Sequence, residues 1–359
     1  MTTHTRARSL ATIARLGLHL GPWADGRTPR SIARAHIPCG ATRAYVYTPS
    51  VRPAGVYLVM PGLHYLGPDD PRLDRFCRIL AASGFWVVTP FIRSYGRLLL
   101  DDSAIHDAHA AFDAASALAE REELRAPAVF SISFGSRLAL ELATRPRPPS
   151  SIILFGGYAE FIPTVEFAVT GQTTFEGKLH ALERDPLNSP VVFLNVLRHL
   201  DGVADTERLA QAWLAMVHRT WGKMELKRPG MRDPIAHEIA ATLPQNLRRQ
   251  FLLGCCLEDG YVPWLGAALE RGRTDLAFLD PSQQIADVRC PVVLVHGRDD
   301  DVIPYVESVK LARKLPPSRL RRLHLTGLYG HTGSAAMTIA GSVRETTTLL
   351  RMLHDMARG

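Results

Sequence analysis

Short apolar runs that alternate with helix-forming segments constrain the fold of this chain more than any other feature. Turn residues bound the runs, and apolar residues recur three and four apart in the segments between them. This order predicts right-handed crossovers and an α/β fold with a mostly parallel sheet flanked by helices. Strands are predicted at residues 56–60, 85–88, 128–130, 152–155, 291–297 and 320–325, with an edge pair around Ile37 and residues 44–47.

The alternation of strands and helices is interrupted in the middle of the chain. Residues 158–286 read as helical, without an obvious buried strand. With 359 residues, of which 46% are hydrophobic, the chain is long enough to bury a sizeable core. We predict an N-terminal helix and lead (1–36), a first part of the α/β core (37–157), a helical cap or lid (158–287) and a second part of the core (288–359).

Two helix starts can be predicted from capping residues. Asp70 followed by Pro71 is typical of an N-cap residue before the first helical position, and Gly84 is expected to close that helix. Asp102 and Ser103 predict a second start, before an apolar face that includes Phe112.

Residues 127–142 predict a buried strand, a sharp turn and a helix in direct succession. The apolar run 128–130 leads into Ser131-Ile132-Ser133-Phe134-Gly135, and apolar residues then recur at helical spacing. A serine at the tip of such a turn lies beside the unpaired N–H groups of the first helical turn. This position suits a nucleophile, because those donors can hold a developing oxyanion. Any buried strand that ends in small residues before a helix gives the same pattern without catalysis.

The stretch resembles the nucleophile elbow of the α/β-hydrolase superfamily, G-x-S-x-G. The resemblance implies that Ser133 is the nucleophile; Ser131 stands where the family has glycine, and its small side chain is compatible with the close contacts there. The resemblance covers about residues 40–157 and 288–357. In this family a helical insertion after the sixth strand forms a cap over the active site, and residues 158–287 occupy that place in the sequence.

The same resemblance implies an acid and a base after the last two strands. The segment His296 to Pro304 has the family's strand ending in glycine, an Asp three residues later and a Pro four residues after that, which selects Asp300. Asp299 and Asp301 are neighbouring alternatives, and the run also fits a turn with a helix N-cap. The loop after the last strand contains a Gly-His pair, which implies His331 as the general base.

The roles of two other histidines and the donors of the oxyanion hole can be considered in the same way. His324 lies within the last predicted strand, so we interpret it as structural or surface. The resemblance implies an oxyanion hole formed by the backbone N–H groups of Phe134 and Leu63. Proline at position 61 replaces the histidine that is frequent in the family, and we expect His64 to stabilise its loop.

A serine nucleophile argues against the dehalogenases and epoxide hydrolases of this fold, which use aspartate. The expected function is a serine hydrolase of the carboxylesterase or lipase type. Its substrate would be a carboxylic ester or thioester of an apolar acyl or aromatic group, cleaved through a Ser-His-Asp triad and an acyl-enzyme. An acyltransferase, a peptidase and a non-catalytic ligand-binding or scaffold protein are the alternatives. No metal or organic cofactor is implied, because side chains and water complete this chemistry.

Charge and cysteine content bear on partners and compartment. The net charge of +7 is scattered rather than clustered, and no basic motif with interleaved aromatics predicts nucleic-acid binding. Five cysteines without metal-type spacing fit reduced thiols and a cytoplasmic protein. The segment 2–21 predicts an amphipathic helix that packs on the body or makes a weak membrane-surface contact. No run reaches the roughly 18 apolar residues of a spanning helix.

Overall fold

The computed structural model describes residues 3–20, 26–327 and 339–358. The chain divides into two compact units: the first contains residues 1–159, 281–300 and 305–359, and the second contains residues 160–280 and 301–304. The first unit contains the large sheet, and the second is mainly helical.

An eight-stranded sheet forms the centre of the first unit in the order β1-β2-β4-β3-β5-β6-β9-β10. The pairs β1–β2 and β2–β4 are antiparallel, and the other neighbours are parallel, so the prediction of a mostly parallel sheet is confirmed. The strands of the described residues are β1 (Arg34–Cys39), β2 (Thr42–Tyr47), β3 (Gly55–Met60), β4 (Phe85–Pro90), β5 (Ala128–Ile132), β6 (Ile152–Phe155), β7 (Gln172–Phe175), β8 (Lys178–Ala181), β9 (Val292–Gly297) and β10 (Leu320–Thr326).

The helices of the described residues are α1 (Thr3–Leu20), α2 (Pro71–Ala82), α3 (Ser103–Arg121), α4 (Gly135–Ala143), α5 (Phe161–Thr170), α6 (Ser189–Val196), α7 (Thr206–Thr220), α8 (Asp233–Ala241), α9 (Gln245–Gly254), α10 (Tyr261–Arg271), α11 (Val306–Lys314) and α12 (Ile339–Arg358).

Both faces of the sheet are covered by helices. Along β3, Leu58 packs into one buried cluster with residues of α3, α4 and α11, whereas the neighbouring Tyr57 and Val59 pack into another with residues of α1, α2 and α12. Successive side chains of a strand point to opposite faces, so these two clusters lie on opposite sides of the sheet. Burial on both faces explains why the parallel strands read as continuous apolar runs.

The helix ends show which capping predictions hold. Asp70 caps α2 by accepting a hydrogen bond from the backbone N–H of Arg72 at 2.8 Å, and Gly84 follows its C-terminus with φ +103°. The prediction for the start of α3 named the wrong aspartate as the capping residue. Asp101, rather than Asp102, accepts the N–H of Ser103 at 3.0 Å, and Asp102 makes no capping bond.

The second unit contains helices α5 to α10 and a short antiparallel hairpin, β7–β8, that the sequence did not predict. All four residues of β8 are exposed, so the hairpin lacks the apolar alternation that would have revealed it. The core of this unit contains the fully buried rings of Phe193, Trp213 and Phe251.

Two further observations bear on compartment and membrane. All five cysteines lie within the described residues, and each is a free thiol. None of the helices in the described residues is long and apolar enough to cross a bilayer.

Candidate functional site

Ser133 sits at the tip of the turn between β5 and α4, in a strained backbone conformation. Its φ is +50°, a region that L-residues other than glycine, asparagine and aspartate rarely adopt. Hydrogen bonds hold it there: its N–H donates to Phe155 O at 2.8 Å, and its carbonyl accepts from Ser136 N at 2.9 Å. Strain of this kind costs about 1–3 kcal/mol and persists where the surrounding structure imposes it. It turns the chain from the strand into the helix within two residues.

Gly135 allows the first turn of α4 to lie directly against the end of β3. A Cβ atom at this position would lie 2.5 Å from the carbonyl oxygen of Pro61 and 2.9 Å from that of Met60. No side chain fits in that space, so glycine is required by close approach. Ser131, two residues before Ser133, is fully buried, and its hydroxyl lies 3.5 Å from Ile153 O. The small serine side chain is therefore accommodated where the family pattern has glycine.

The loop after β3 borders Ser133. A Cβ at Gly62 would lie 3.4 Å from the Cβ of Ser133, so the next residue, Leu63, begins close to the turn. Within the described residues the backbone N–H of Leu63 has no hydrogen-bond acceptor. Phe134, the other predicted donor, directly precedes α4, and Tyr95 donates its hydroxyl to the Phe134 carbonyl at 3.2 Å.

His64 makes contacts within its own loop. Its Nδ1 accepts the N–H of Leu66 at 3.2 Å, and its Nε2 lies 3.6 Å from the carboxylate of Asp70. Burial lowers the pKa of His64 below its usual value, and the nearby Asp70 offsets this only in part. These contacts support the interpretation that His64 stabilises the loop.

Asp300 lies next to Gly156, the residue that follows β6. A Cβ on Gly156 would be 3.2 Å from Oδ2 of Asp300 and 4.0 Å from the backbone nitrogen of Ser133. Gly156 has φ +65°, which glycine adopts without strain. The carboxylate and the serine backbone thus border the same point beyond β6, and a larger residue at position 156 would crowd both.

The two neighbouring aspartates are placed differently. Asp301 belongs to the second unit, where its carboxylate lies 2.6 Å from Lys227 Nζ. Asp299 is exposed, with Oδ1 3.3 Å from a Cβ built on Gly297. Of the three consecutive carboxylates, Asp300 is the one that borders Gly156.

His331, the predicted general base, lies outside the described residues. The strand that leads toward it ends at Thr326, whose hydroxyl donates to Glu345 Oε2 at 2.7 Å. The N–H of Gly327 donates to the other oxygen of Glu345 at 3.2 Å. His324, on the same strand, is buried and pairs with Asp355 at 3.0 Å, which agrees with a structural role.

A comparison of sequences with known proteins finds a partial relative. No protein-family model matches the chain. The pimeloyl-[acyl-carrier protein] methyl ester esterase of Aromatoleum aromaticum is 33% identical over 132 residues, which cover 32% of this chain and 51% of the relative. The alignment therefore spans about half the length of that esterase.

Similar solved structures cover nearly the whole chain at low identity. A soluble variant of the monoglyceride lipase of Saccharomyces cerevisiae, in complex with a substrate analogue, has a TM-score of 0.49 and 13% identity, with 94% of this chain and 96% of that chain covered. The Francisella virulence factor BioJ has a TM-score of 0.48 and 12% identity, with 99% and 96% covered.

The mostly parallel sheet, with a strained serine between the end of β5 and the start of α4, matches the nucleophile-elbow arrangement. The chain has the α/β-hydrolase fold. Sequence reasoning missed two residues near the predicted site residues. His296 lies 3.4 Å from Asp300, and Glu345 anchors the strand end before His331. His296 is four residues from Asp300 and could have been suspected from that spacing, whereas Glu345 gave no sequence signal.

Proposed function

We propose that this α/β-hydrolase is a serine hydrolase that cleaves a carboxylic ester or thioester of an apolar acyl or aromatic group. The observation that carries the proposal is the positive φ of Ser133 between β5 and α4. The backbone of Ser133 and the carboxylate of Asp300 both lie next to Gly156. A turn of this kind places a serine hydroxyl beside backbone N–H donors, as a nucleophile requires. The partial relative named as a methyl ester esterase supports ester cleavage in particular.

In this mechanism Ser133 Oγ attacks the ester carbonyl while His331 takes the hydroxyl proton. Asp300 holds the imidazole in the productive tautomer and stabilises the imidazolium. The N–H groups of Leu63 and Phe134 bind the oxyanion of the tetrahedral intermediate. The imidazolium then protonates the leaving alcohol or thiol, and an acyl-enzyme on Ser133 remains. Water, deprotonated by His331, attacks the acyl-enzyme and releases the acid.

Two features of the setting belong to the same proposal. The helical unit, residues 160–280 with 301–304, would act as the cap of the enzyme. The five free thiols favour a reducing compartment such as the cytoplasm.

A series of p-nitrophenyl esters from acetate to laurate tests this function. The wild-type chain should hydrolyse at least part of the series, and Ser133→Ala should lower kcat by about 10⁴-fold or more. Addition of an acceptor alcohol would distinguish an acyltransferase, since it would divert product from acid to a new ester. Folded wild-type protein that hydrolyses no ester, or a Ser133→Ala variant with unchanged rate, would contradict the proposal.

We also propose a weak contact of α1 with an anionic membrane surface. Leu10 and Leu18 are 67% and 65% exposed, whereas Leu16 is buried in the cluster shared with α12. The helix has basic residues, including Arg15, and no acidic residue. Exposed apolar side chains on a helix that has basic and no acidic residues are typical of interfacial helices.

Co-sedimentation with vesicles tests this contact. Replacing Leu10 and Leu18 by Gln should reduce pelleting with vesicles that contain phosphatidylserine and leave the fold intact, because both side chains are exposed. Equal pelleting of wild type and variant would contradict the contact.

A further inference from the structure

His296 contacts the candidate acid from inside the protein. It is the penultimate residue of β9, and its side chain is fully buried. Its Nε2 lies 3.4 Å from Oδ2 of Asp300, and its Nδ1 lies 2.7 Å from the hydroxyl of Ser308 on α11. The distance to Asp300 is long for a hydrogen bond and within the range of an ion pair. Because both ring nitrogens are engaged, His296 is not available as the base for Ser133.

We propose that His296, supported by Ser308, is a positioning residue that fixes the carboxylate of Asp300 for its role toward the general base. This inference rests on the proposed serine hydrolase function and deepens it. The contact is made within the first unit, by β9, the segment that follows it and α11. The proposal thus adds two residues, His296 and Ser308, to the three of the triad as residues whose identity should affect the reaction.

The proton positions follow from the hydrogen-bonding capacity of Ser308. Its hydroxyl has one hydrogen and lies 2.7 Å from Nδ1 of His296 and 3.3 Å from the carbonyl of Gly157. If the hydroxyl donates to Nδ1, the ring is neutral and its single N–H, on Nε2, faces Asp300. The 3.3 Å separation from Gly157 is long for a hydroxyl donor, so donation to Nδ1 is the better hydrogen bond. In that arrangement an N–H group of His296 faces Asp300.

The charged groups on the adjoining segments already have partners. Glu307, next to Ser308, is fully buried and pairs with Lys310 at 2.7 Å, while its other oxygen accepts the N–H of Ala159 at 3.1 Å. Asp301 pairs with Lys227. His296 is thus the group on β9 that faces Asp300, and its Nε2 contacts Oδ2 of that carboxylate.

Two consequences follow for the reaction. Fixing one carboxylate oxygen limits rotation of Asp300, so the imidazole that it orients is held more rigidly. The N–H group also withdraws negative charge from the carboxylate. Without it, Asp300 would be a stronger acceptor, the imidazolium form of His331 would be favoured, and the pKa seen in the acid limb of kcat/KM would rise.

The test compares His296→Leu with His324→Leu, which removes another buried histidine–aspartate pair, between β10 and α12. On a p-nitrophenyl ester that the wild type cleaves, His296→Leu should lower kcat by about 10- to 100-fold, change KM little, and move the acid limb to higher pH. His324→Leu should lower thermal stability but leave the acid limb in place. Ser308→Ala should shift the limb in the same direction by a smaller amount.

The outcomes separate this inference from the proposed function. If wild-type protein hydrolyses no ester and Ser133 is not labelled by a fluorophosphonate, the proposed function itself fails. If the wild type is active and His296→Leu has the acid limb and kcat of His324→Leu, the positioning role alone is wrong. If His296→Leu does not fold, two other variants test the role. His296→Gln, which retains an N–H donor, should keep the wild-type acid limb of kcat/KM, and Ser308→Ala should still shift that limb. An unchanged acid limb in Ser308→Ala would then overturn the proposal.

Discussion

The imidazole Nε2 of His324 lies 3.0 Å from Oδ2 of Asp355, and both side chains are buried where β10 meets α12. Arg322 Nη1 lies 3.1 Å from the same carboxylate oxygen. Burial would raise the pKa of Asp355, but the hydrogen bond from His324 and the charge of Arg322 lower it below its usual value. The ionised carboxylate therefore stabilises the attachment of the last helix to the sheet.

This pair gives the fold a predictable dependence on acid. A carboxyl whose folded-state pKa is lowered stabilises the protein above its unfolded pKa, near 3.9, and the stabilisation is lost as pH falls through the folded value. Asp355→Asn should lower the free energy of unfolding by about 2–4 kcal/mol at pH 7, and the difference should shrink below about pH 4. Urea unfolding at several pH values measures it. Asp113→Asn, which removes an exposed pair with Arg145, is the control and should change little. A deficit for Asp355→Asn that does not shrink in acid would contradict this reading.

Lys227 should be required for the stability of the helical unit. Its Nζ lies 2.9 Å from Asp185 and 2.6 Å from Asp301, and the N–H of Asp185 donates to the carbonyl of Asp301 at 2.7 Å. Burial would lower the pKa of Lys227, but the two carboxylates raise it above its usual value. Lys227→Met leaves these carboxylates facing each other and should cost about 2–3 kcal/mol in chemical unfolding.

Two variants control the Lys227 measurement. Adding Asp185→Asn to Lys227→Met should restore part of the loss, because one of the repelling charges is removed. Arg219→Met, which breaks an exposed pair with Glu238, should cost less than about 1 kcal/mol. Equal losses for Lys227→Met and Arg219→Met would show that the Lys227 pairs contribute no more than a surface ion pair.

Gly135 should not tolerate even one methyl group. The Cβ of alanine would lie 2.5 Å from Pro61 O, so α4 and the end of β3 must separate, which displaces Ser133. We expect the free energy of unfolding to fall by about 1–3 kcal/mol. Gly266, inside α10, has no atom within 4 Å of the same position. Gly266→Ala should therefore be neutral or stabilise the protein by about 0.5–1 kcal/mol. Thermal unfolding of both variants measures the contrast, and a stable, active Gly135→Ala protein would contradict the close packing at the elbow.

How much the sequence predicted depends on how locally each feature is encoded. The strand, turn and helix around Ser133 are contiguous, and the small residues there are required by close contacts, so the pattern was visible before the structure. The hairpin β7–β8 was missed because β8 is fully exposed and β7 buries a threonine, Thr173, so neither strand shows an alternation of apolar residues. The contact of Glu345 with Thr326 joins residues 19 apart through the packing of α12 and could not be read locally.

Glu345 leads to a prediction about activity rather than stability. Its carboxylate holds Thr326 and Gly327, the last described residues before the segment that contains His331. Glu345→Ala should lower kcat for ester hydrolysis by about 10-fold, because a base displaced by even a fraction of an ångström loses alignment with its nucleophile. Arg351→Ala, at an exposed position of the same helix, is the control and should retain wild-type kcat. Wild-type kcat in Glu345→Ala would mean that this anchor does not position the base.

Covalent labelling with a fluorophosphonate, followed by peptide mass spectrometry, tests the central claim that Ser133 is an activated nucleophile. Wild-type protein should carry a single phosphonyl adduct on the peptide that contains Ser133, and folded Ser133→Ala protein should carry none. Phenylmethylsulfonyl fluoride, a smaller reagent, should modify the same residue. Folded wild-type protein that neither reagent modifies, or an adduct that persists in Ser133→Ala, would contradict the account.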